Sequence, residues 1–436
     1  MSYDSIAPTQ QSVNTPEGSE AAEPAYQRKL PHPVLKNLHN ATSLPHFQFM
    51  DMGQGRKFYD VVILKASFDL KDGVAELSAK QAGPCLVDAF FNEDEPEYSS
   101  LKAAGDTVLH KPFTDVYVTG TVKTHRTQPQ TSWHGLLRVR RGKEHLINKT
   151  LKFSGPRQWS HKSSDVWRLS KPTPTTQVLL QYELAYGGHY LDPQQLKKQK
   201  GPEADKDPSQ ATETFPANPA GSGLFGPTDG LLSKGSPTHD PKQTYPGPQI
   251  EWEMDSIKSS DDIDFKKVQP AGWGPIARWW TPRVERQGTY DDAWLKDFQK
   301  SSCADYPKDF NNSYFNCAPA DQMIRGALHG DEHIELVGVF EDKQTVSLQL
   351  PGWKLTATSH DHDNQELQGQ IRLDTLHIDL DKAQLHATWR LTLDHSQNIQ
   401  TCVIEMQEAQ LQEAQLQEAQ LQEAQLQETK LQDAAP

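Results

Sequence analysis

Three segments carry residue types at spacings that chemistry uses. Gly221-Ser222-Gly223-Leu224-Phe225-Gly226 matches G-x-G-x-x-G, the loop that cradles a dinucleotide pyrophosphate. No strand pattern precedes it, and Pro227 stands where the receiving helix would begin, so it reads as a glycine-rich loop. His329 and His333 lie four apart in HGDEH and on a helix would share one face, as paired zinc ligands do. The glutamate is out of place for H-E-x-x-H, Gly330 weakens a helix, and the HIELVGVF that follows has the look of a strand. A turn before a strand is the expectation there. His360, Asp361, His362 and Asp363 set imidazoles beside carboxylates, a group that suits a divalent ion. Neighbours on an extended chain point to opposite sides, so at most two could share an ion without a tight turn. A solvated loop is expected, and a metal-dependent hydrolase or secreted toxin component using His360 and His362 is the competing class. The acidic pairs Asp261-Asp262 and Asp291-Asp292 fall among 58 acidic residues, and nothing marks either as a raised-pKa acid. Neither a Walker A loop nor a G-x-S-x-G elbow occurs.

The densest block is Gly272 to Tyr290, GWGPIARWWTPRVERQGTY. Tryptophan and arginine together are typical of binding hot spots. Aromatic side chains are also the usual filling of a loop-rich core. On the first reading the contact residues are Trp273, Arg278, Trp279, Trp280, Arg283 and Tyr290. On the second, Trp279 and Trp280 are needed simply to fold.

The elements that would position these residues read mostly as strands. Tyr59 to Leu70 is β-branched and apolar and runs into the turn dipeptide Asp72-Gly73. Asp115 to Val122 alternates Val116, Val118, Gly120 and Val122. Leu136 to Arg140, Val178 to Tyr186, Ile334 to Phe340 and Thr345 to Leu350 have similar character. Ile371 to Leu380 and Leu385 to Leu393 flank Asp381-Lys382, and their period-two alternation predicts a hairpin with one buried face. Short helices are expected at Asp291 to Lys300, acidic early and basic late, and at Pro319 to Leu328, proline-led. Many strands and few helices exclude a doubly wound nucleotide-binding fold. The expected class is mainly β with a few short helices, in antiparallel sheets forming one body or two packed β lobes.

The ends and the middle differ in composition. Residues 1–33 lack periodicity and read as a flexible arm. Residues 191–248 form a polar insertion rich in Pro, Gly, Lys and Asp. The folded domain is expected over 34–400, followed by a repetitive tail over 404–436. From Ala409 the tail repeats AQLQE, with Leu411, Leu416, Leu421, Leu426 and Leu431 five apart. On an α-helix that spacing winds the leucines around the axis by about 140° each and leaves no stripe. A frayed helix, disorder and a pentapeptide-repeat-like β-solenoid fragment all stand as readings.

Charge and cysteine usage narrow the classes further. The 436 residues carry a formal net charge of -14, which disfavours nucleic acid and anionic membrane surfaces. Cys85, Cys303, Cys317 and Cys402 form no CxxC pair and match no zinc ribbon. The N-terminus has no basic start followed by an apolar core, and no apolar run approaches a membrane span. A cytoplasmic protein without cofactor is expected. A carbohydrate- or envelope-binding β module would call for a secretion signal.

Several segments in order resemble a bacterial family of type VI secretion effector adaptors, or chaperones, first catalogued as a domain of unknown function. They are VVILKASFDL (61–70), GDTVLHKPFTDVYVTG (105–120), YELAYGG (182–188), NPAGSGLFG (218–226) and PQIEW (248–252). The most specific are GWGPIARWWTPRVERQGTYDDAWLKDF (272–298) and YPKDFNNSYFNCAPADQ (306–322), and DTLHIDLDKAQLHATWR (374–390) closes the set. The resemblance spans roughly residues 35–395 and implies a non-enzymatic carrier. Such a carrier would bind an effector, or its PAAR segment, and mount it on the VgrG spike. The stretch TVKTHRTQPQTSW and the insertion around Leu191 to Phe215 depart from the family pattern. Which effector is bound, and the oligomeric state, are not implied. No catalytic residue comes with the resemblance.

Overall fold

Phe58–Asp69 is the longest strand, and its run of β-branched and apolar residues pairs on both sides. It lies between His46–Met52 and Gln384–Asp394 in a six-stranded sheet that continues through Arg372–Asp379, Phe113–Thr119 and Met323–Arg325. A second six-stranded sheet runs Ile250–Trp252, Glu144–Ser154, Ser132–Arg141, His333–Val337, Thr345–Gln349 and Gly73–Val74. Asn37–Asn40, Thr401–Gln407, Lys354–His360 and Glu366–Gln370 make a third sheet. This computed structural model describes residues 35, 37–162, 166–191, 212–223, 244–252 and 270–407. The N-terminal arm, most of the polar insertion, Leu224 to Gly226, Asp261-Asp262 and the AQLQE repeat lie outside the described residues.

The mainly β class and the short helix hold. Pairing is not purely antiparallel: Arg372–Asp379 runs parallel to Phe113–Thr119, and Asn37–Asn40 parallel to Thr401–Gln407. Val62, Leu64, Ala66 and Phe68 from the first sheet meet Leu137, Val139, Leu336 and Val346 from the second and Leu355 and Ile404 from the third in one apolar core. The last described strand, Thr401–Gln407, pairs with both Asn37–Asn40 and Lys354–His360 in the third sheet.

Three expectations need correction. The Asp381-Lys382 hairpin forms, but both of its faces are buried. Its second face carries Asp374, Thr375, His377, His386, Thr388 and Arg390, all buried. The chain between Ala82 and Leu109 covers that face by hydrogen bonding to it. Ala82 N donates to Ser67 Oγ (3.0 Å), Arg390 Nη1 to the carbonyls of Asp106 and Val108 (2.8 Å each) and Thr392 Oγ1 to the Leu109 carbonyl (2.8 Å). Alternation therefore separates apolar from polar here, not buried from exposed.

Val178 to Tyr186 is not one strand. It breaks after Gln177–Leu179 into a 3-10 turn at Tyr182–Leu184. Pro319 to Leu328 makes a 3-10 turn at Ala320–Gln322 and then the edge strand Met323–Arg325, because Met323 and Ile324 pair with Asp115 and Thr114. Gln322 is fully buried there, its Nε2 donating to the Val116 (2.8 Å) and Trp273 (3.0 Å) carbonyls.

Candidate partner-binding surface

The Trp/Arg block divides by position. Trp273 and Trp280 have no exposed surface. Trp273 meets Phe153 edge to face at 5.5 Å, and Trp280 meets Tyr182 the same way at 5.7 Å. Arg283 is only 4% exposed. Its Nη1 donates to the Ile276 carbonyl (2.6 Å) and its Nε to the Tyr314 carbonyl (2.9 Å), and burial lowers its pKa. These three side chains are packed in the interior, and of them Arg283 also lines a cavity.

Arg278, Trp279 and Tyr290 reach the surface. Arg278 Nε sits 3.1 Å from Asp88 Oδ2. Trp279 is 40% exposed, donates from Nε1 to the Glu97 carbonyl (3.3 Å) and stacks on Phe90 with ring centroids 5.4 Å apart. The partner of Arg278 is flanked by Val87, 72% exposed, and Leu86 is exposed beside it. A large aromatic ring held on one edge and open on the other is a common form of binding anchor.

Tyr290 begins a second aromatic row. It meets Trp294 edge to face at 4.8 Å, and Trp294 stacks on Phe298 at 5.6 Å. Trp294 and Phe298 belong to the helix Asp292–Ser301, capped by Asp291 Oδ1 accepting from Trp294 N (2.9 Å). None of its residues is buried, although Leu295 and Phe298 lie on it beside Trp294. The body holds the helix by polar contacts: Arg56 pairs with Asp297 and reaches Ser301 Oγ (2.9 Å), and Trp294 Nε1 donates to the Asp305 carbonyl (2.7 Å). Tyr306 lies within electrostatic reach of both Arg278 and Tyr290, and burial pushes its phenol up to about 12. Two groups of exposed apolar side chains are thus present, Leu86 and Val87 next to Asp88, the partner of Arg278, and Leu295 and Phe298 on the helix. Sequence reading missed Leu86, Val87, Phe90, Leu295 and Phe298. The i, i+4 spacing of Trp294 and Phe298 on an otherwise charged helix was the available signal.

The candidate metal ligands sit in turns. Ligand atoms of His329, Asp331 and Glu332 come within 4.8 Å of one another. Glu332 is fully buried, however, and its Oε1 accepts from Arg141 Nη2 (2.8 Å), Arg141 Nε (3.0 Å) and His329 N (2.8 Å). Its Oε2 accepts from Gly330 N (3.0 Å), so the carboxylate closes the expected turn before His333–Val337. His360 ends a strand, and His362 is exposed beside Asp363. Asp361 Oδ1 accepts from Asp363 N and Gln365 N, both 2.9 Å, which fixes a hairpin turn. In the glycine motif Gly221 N donates to the Asn218 carbonyl (3.2 Å) and Ser222–Gly223 pairs in parallel with Tyr186–Gly187. All four cysteines are free, and burial beside Asp115 raises the Cys317 thiol.

A family profile, that of an uncharacterized protein conserved in bacteria (DUF2169), matches residues 54–390. The chain belongs to that family. DUF2169 thereby covers both aromatic groups and all six strands of the second sheet. No curated protein and no solved structure matches the chain. Among the described residues no helix is long and apolar enough to cross a membrane.

Proposed function

We propose that this DUF2169 protein is a non-enzymatic adaptor that binds a type VI secretion effector, or its PAAR segment, and loads it onto the VgrG spike. The observation that carries the reading is the exposure of Trp279, Tyr290, Leu295 and Phe298 on a rigid frame, at 38–50% each. Exposed aromatic and aliphatic side chains held by a folded body are what a protein-binding surface needs. The ordered motif resemblance supplies the secretion context. The carboxylates and histidines of the interior are engaged by cations, backbone amides and hydroxyls, which suits a scaffold.

The test is an affinity pull-down of the tagged chain from its own host, with bound proteins identified by mass spectrometry. Near-stoichiometric recovery of a toxin-like protein, a PAAR tip or VgrG is expected, and Trp279→Ala combined with Phe298→Ala should reduce it. Recovery of none of these, from cells with an assembled secretion apparatus, would overturn the reading.

A further inference from the structure

Although the chain has a net charge of -14, one of its cavities is ringed by cations. The cavity measures about 360 Å³ and has largely apolar walls that include Tyr182, Trp252, Ile276 and Pro319. Lys149, Arg283 and Arg286 also line it, against one carboxylate, Asp321. Asp321 is already engaged, with Oδ1 2.9 Å from Lys149 Nζ. Lys149 is further held by Gln322 Oε1 (2.8 Å) and sits 4.7 Å from the centre of the Trp252 ring.

Arg283 differs from every other buried cation described, and the half-buried Arg286 shares the difference; Lys149 and Arg157, for instance, lie 2.9 and 2.8 Å from a carboxylate. Lys65, Lys111 and Arg390 each lie within 3 Å of an aspartate. Arg283 and Arg286 have no carboxylate partner among the described residues. Arg283 uses Nε and Nη1 on carbonyls, and Arg286 donates from Nη1 to the Ser313 carbonyl (3.2 Å). Burial and the charge of Arg283 together lower the pKa of Arg286. Carbonyl dipoles offset only part of the desolvation of a guanidinium, and an anion offsets far more. The planar fork of arginine matches the two oxygens of a carboxylate, and the surrounding walls favour an apolar body behind it. The volume is at the small end of ligand sites, which run from roughly 300 to 1,000 Å³.

We propose that this cavity binds a monocarboxylate carried on an apolar body, its carboxylate seated between Arg283 and Arg286. The site is separate from the adaptor reading and does not rest on it. Such a carboxylate belongs either to a free aryl or alkyl acid or to the C-terminus of a polypeptide ending in an apolar residue.

The experiment is isothermal titration of the full chain with 4-phenylbutanoate and with its neutral isostere 4-phenylbutanamide. A tripeptide ending in phenylalanine is titrated alongside, as free acid and as amide. Binding of at least one acid is expected, with its amide about tenfold weaker or worse. Arg286→Gln should weaken the acid by a similar factor, and Ala320→Trp, at an exposed position on the rim, should block it without removing a cation. Thermal melts of both variants check that they fold; Arg283 is too deeply placed to serve. Binding of phenylbutanoate alone assigns a small-molecule ligand, and binding of the peptide acid assigns a polypeptide end. No binding of either acid up to millimolar concentration, equal binding of acids and amides, or unchanged affinity in both folded variants would overturn the proposal.

Discussion

Lys111 Nζ lies 2.9 Å from Asp115 Oδ2, with the two side chains 2% and 0% exposed. Asp115 also accepts from Asn316 Nδ2 (3.0 Å), Cys317 N (2.9 Å) and Ala318 N (3.2 Å), so it ties the first sheet to the segment after the helix. Lys111 lowers the pKa of Asp115, and both remain charged in the interior. Asp115→Ala should cost about 3–5 kcal/mol, because it strands a buried ammonium and three donors. Lys111→Met with Asp115→Asn should cost less than the sum of the single changes. Urea titrations of the four proteins measure that coupling, and additive losses would show that the pair does not act as a unit.

Adjacent tryptophans should behave oppositely. Trp280 is fully buried against Tyr182, and Trp280→Ala should cost about 3–5 kcal/mol through the cavity it leaves. Trp279 gives up only its stacking on Phe90 and one long hydrogen bond, so Trp279→Ala should cost about 1 kcal/mol or less. Chemical denaturation of the two single variants separates core from surface. A loss at Trp279 as large as that at Trp280 would make the exposed ring part of the core after all.

Acid should destabilise the fold through a histidine pair. His377 and His386 face each other at 5.3 Å on the covered face of the first sheet. Thr119 Oγ1 lies 2.6 Å from His377 Nε2, and Ser67 Oγ lies 2.9 Å from His386 Nδ1. Burial pushes His386 down to about 4 and His377 well below the usual imidazole range. An unfolded imidazole takes its proton near pH 6.5, so between about 6.5 and 4 the unfolded chain binds more protons. Stability should therefore fall as pH drops through that window, by about 3 kcal/mol from His386 alone. Equilibrium unfolding at pH 7.5 and pH 5 checks the sign. His386→Gln should flatten the dependence, and an unchanged slope would place the acid sensitivity elsewhere.

The long strands were legible, Phe58–Asp69 from its β-branched apolar run and Arg372–Asp379 and Gln384–Asp394 from period-two alternation. The helix at Asp292–Ser301 was legible from its charge order. Pairing order was not, because Phe113–Thr119 joins Arg372–Asp379 across more than 250 residues, and nothing local encodes that choice. Trp279 and Trp280 show the limit for the surface. They are chemically identical neighbours, and only the turn that carries them decides which faces Tyr182 and which faces water. The polar face beneath Ala82 to Leu109 was hidden for a related reason. Lys65, Asp374 and Arg390 look like surface residues until the segment that covers them is in place.

Gly120 marks where the Phe113–Thr119 strand must turn. Its φ is +99, and a Cβ there would meet Asp381 N at 2.8 Å. The same site holds two elements together: Leu180 N donates to the Gly120 carbonyl (2.9 Å), and Thr121 N donates to Asp381 Oδ1 (3.0 Å). Gly120→Ala therefore combines backbone strain with a clash against the turn of the central hairpin, and about 2–3 kcal/mol should be lost. Gly142 supplies the control, with φ +55 and open space around the added carbon. Gly142→Ala should show the strain alone, about 1 kcal/mol. Thermal melts of the two variants give the difference, which isolates the close approach of Gly120 to Asp381. Equal losses would mean that the hairpin turn yields to the extra methyl, and that the Gly120–Asp381 contact does not fix the end of the strand.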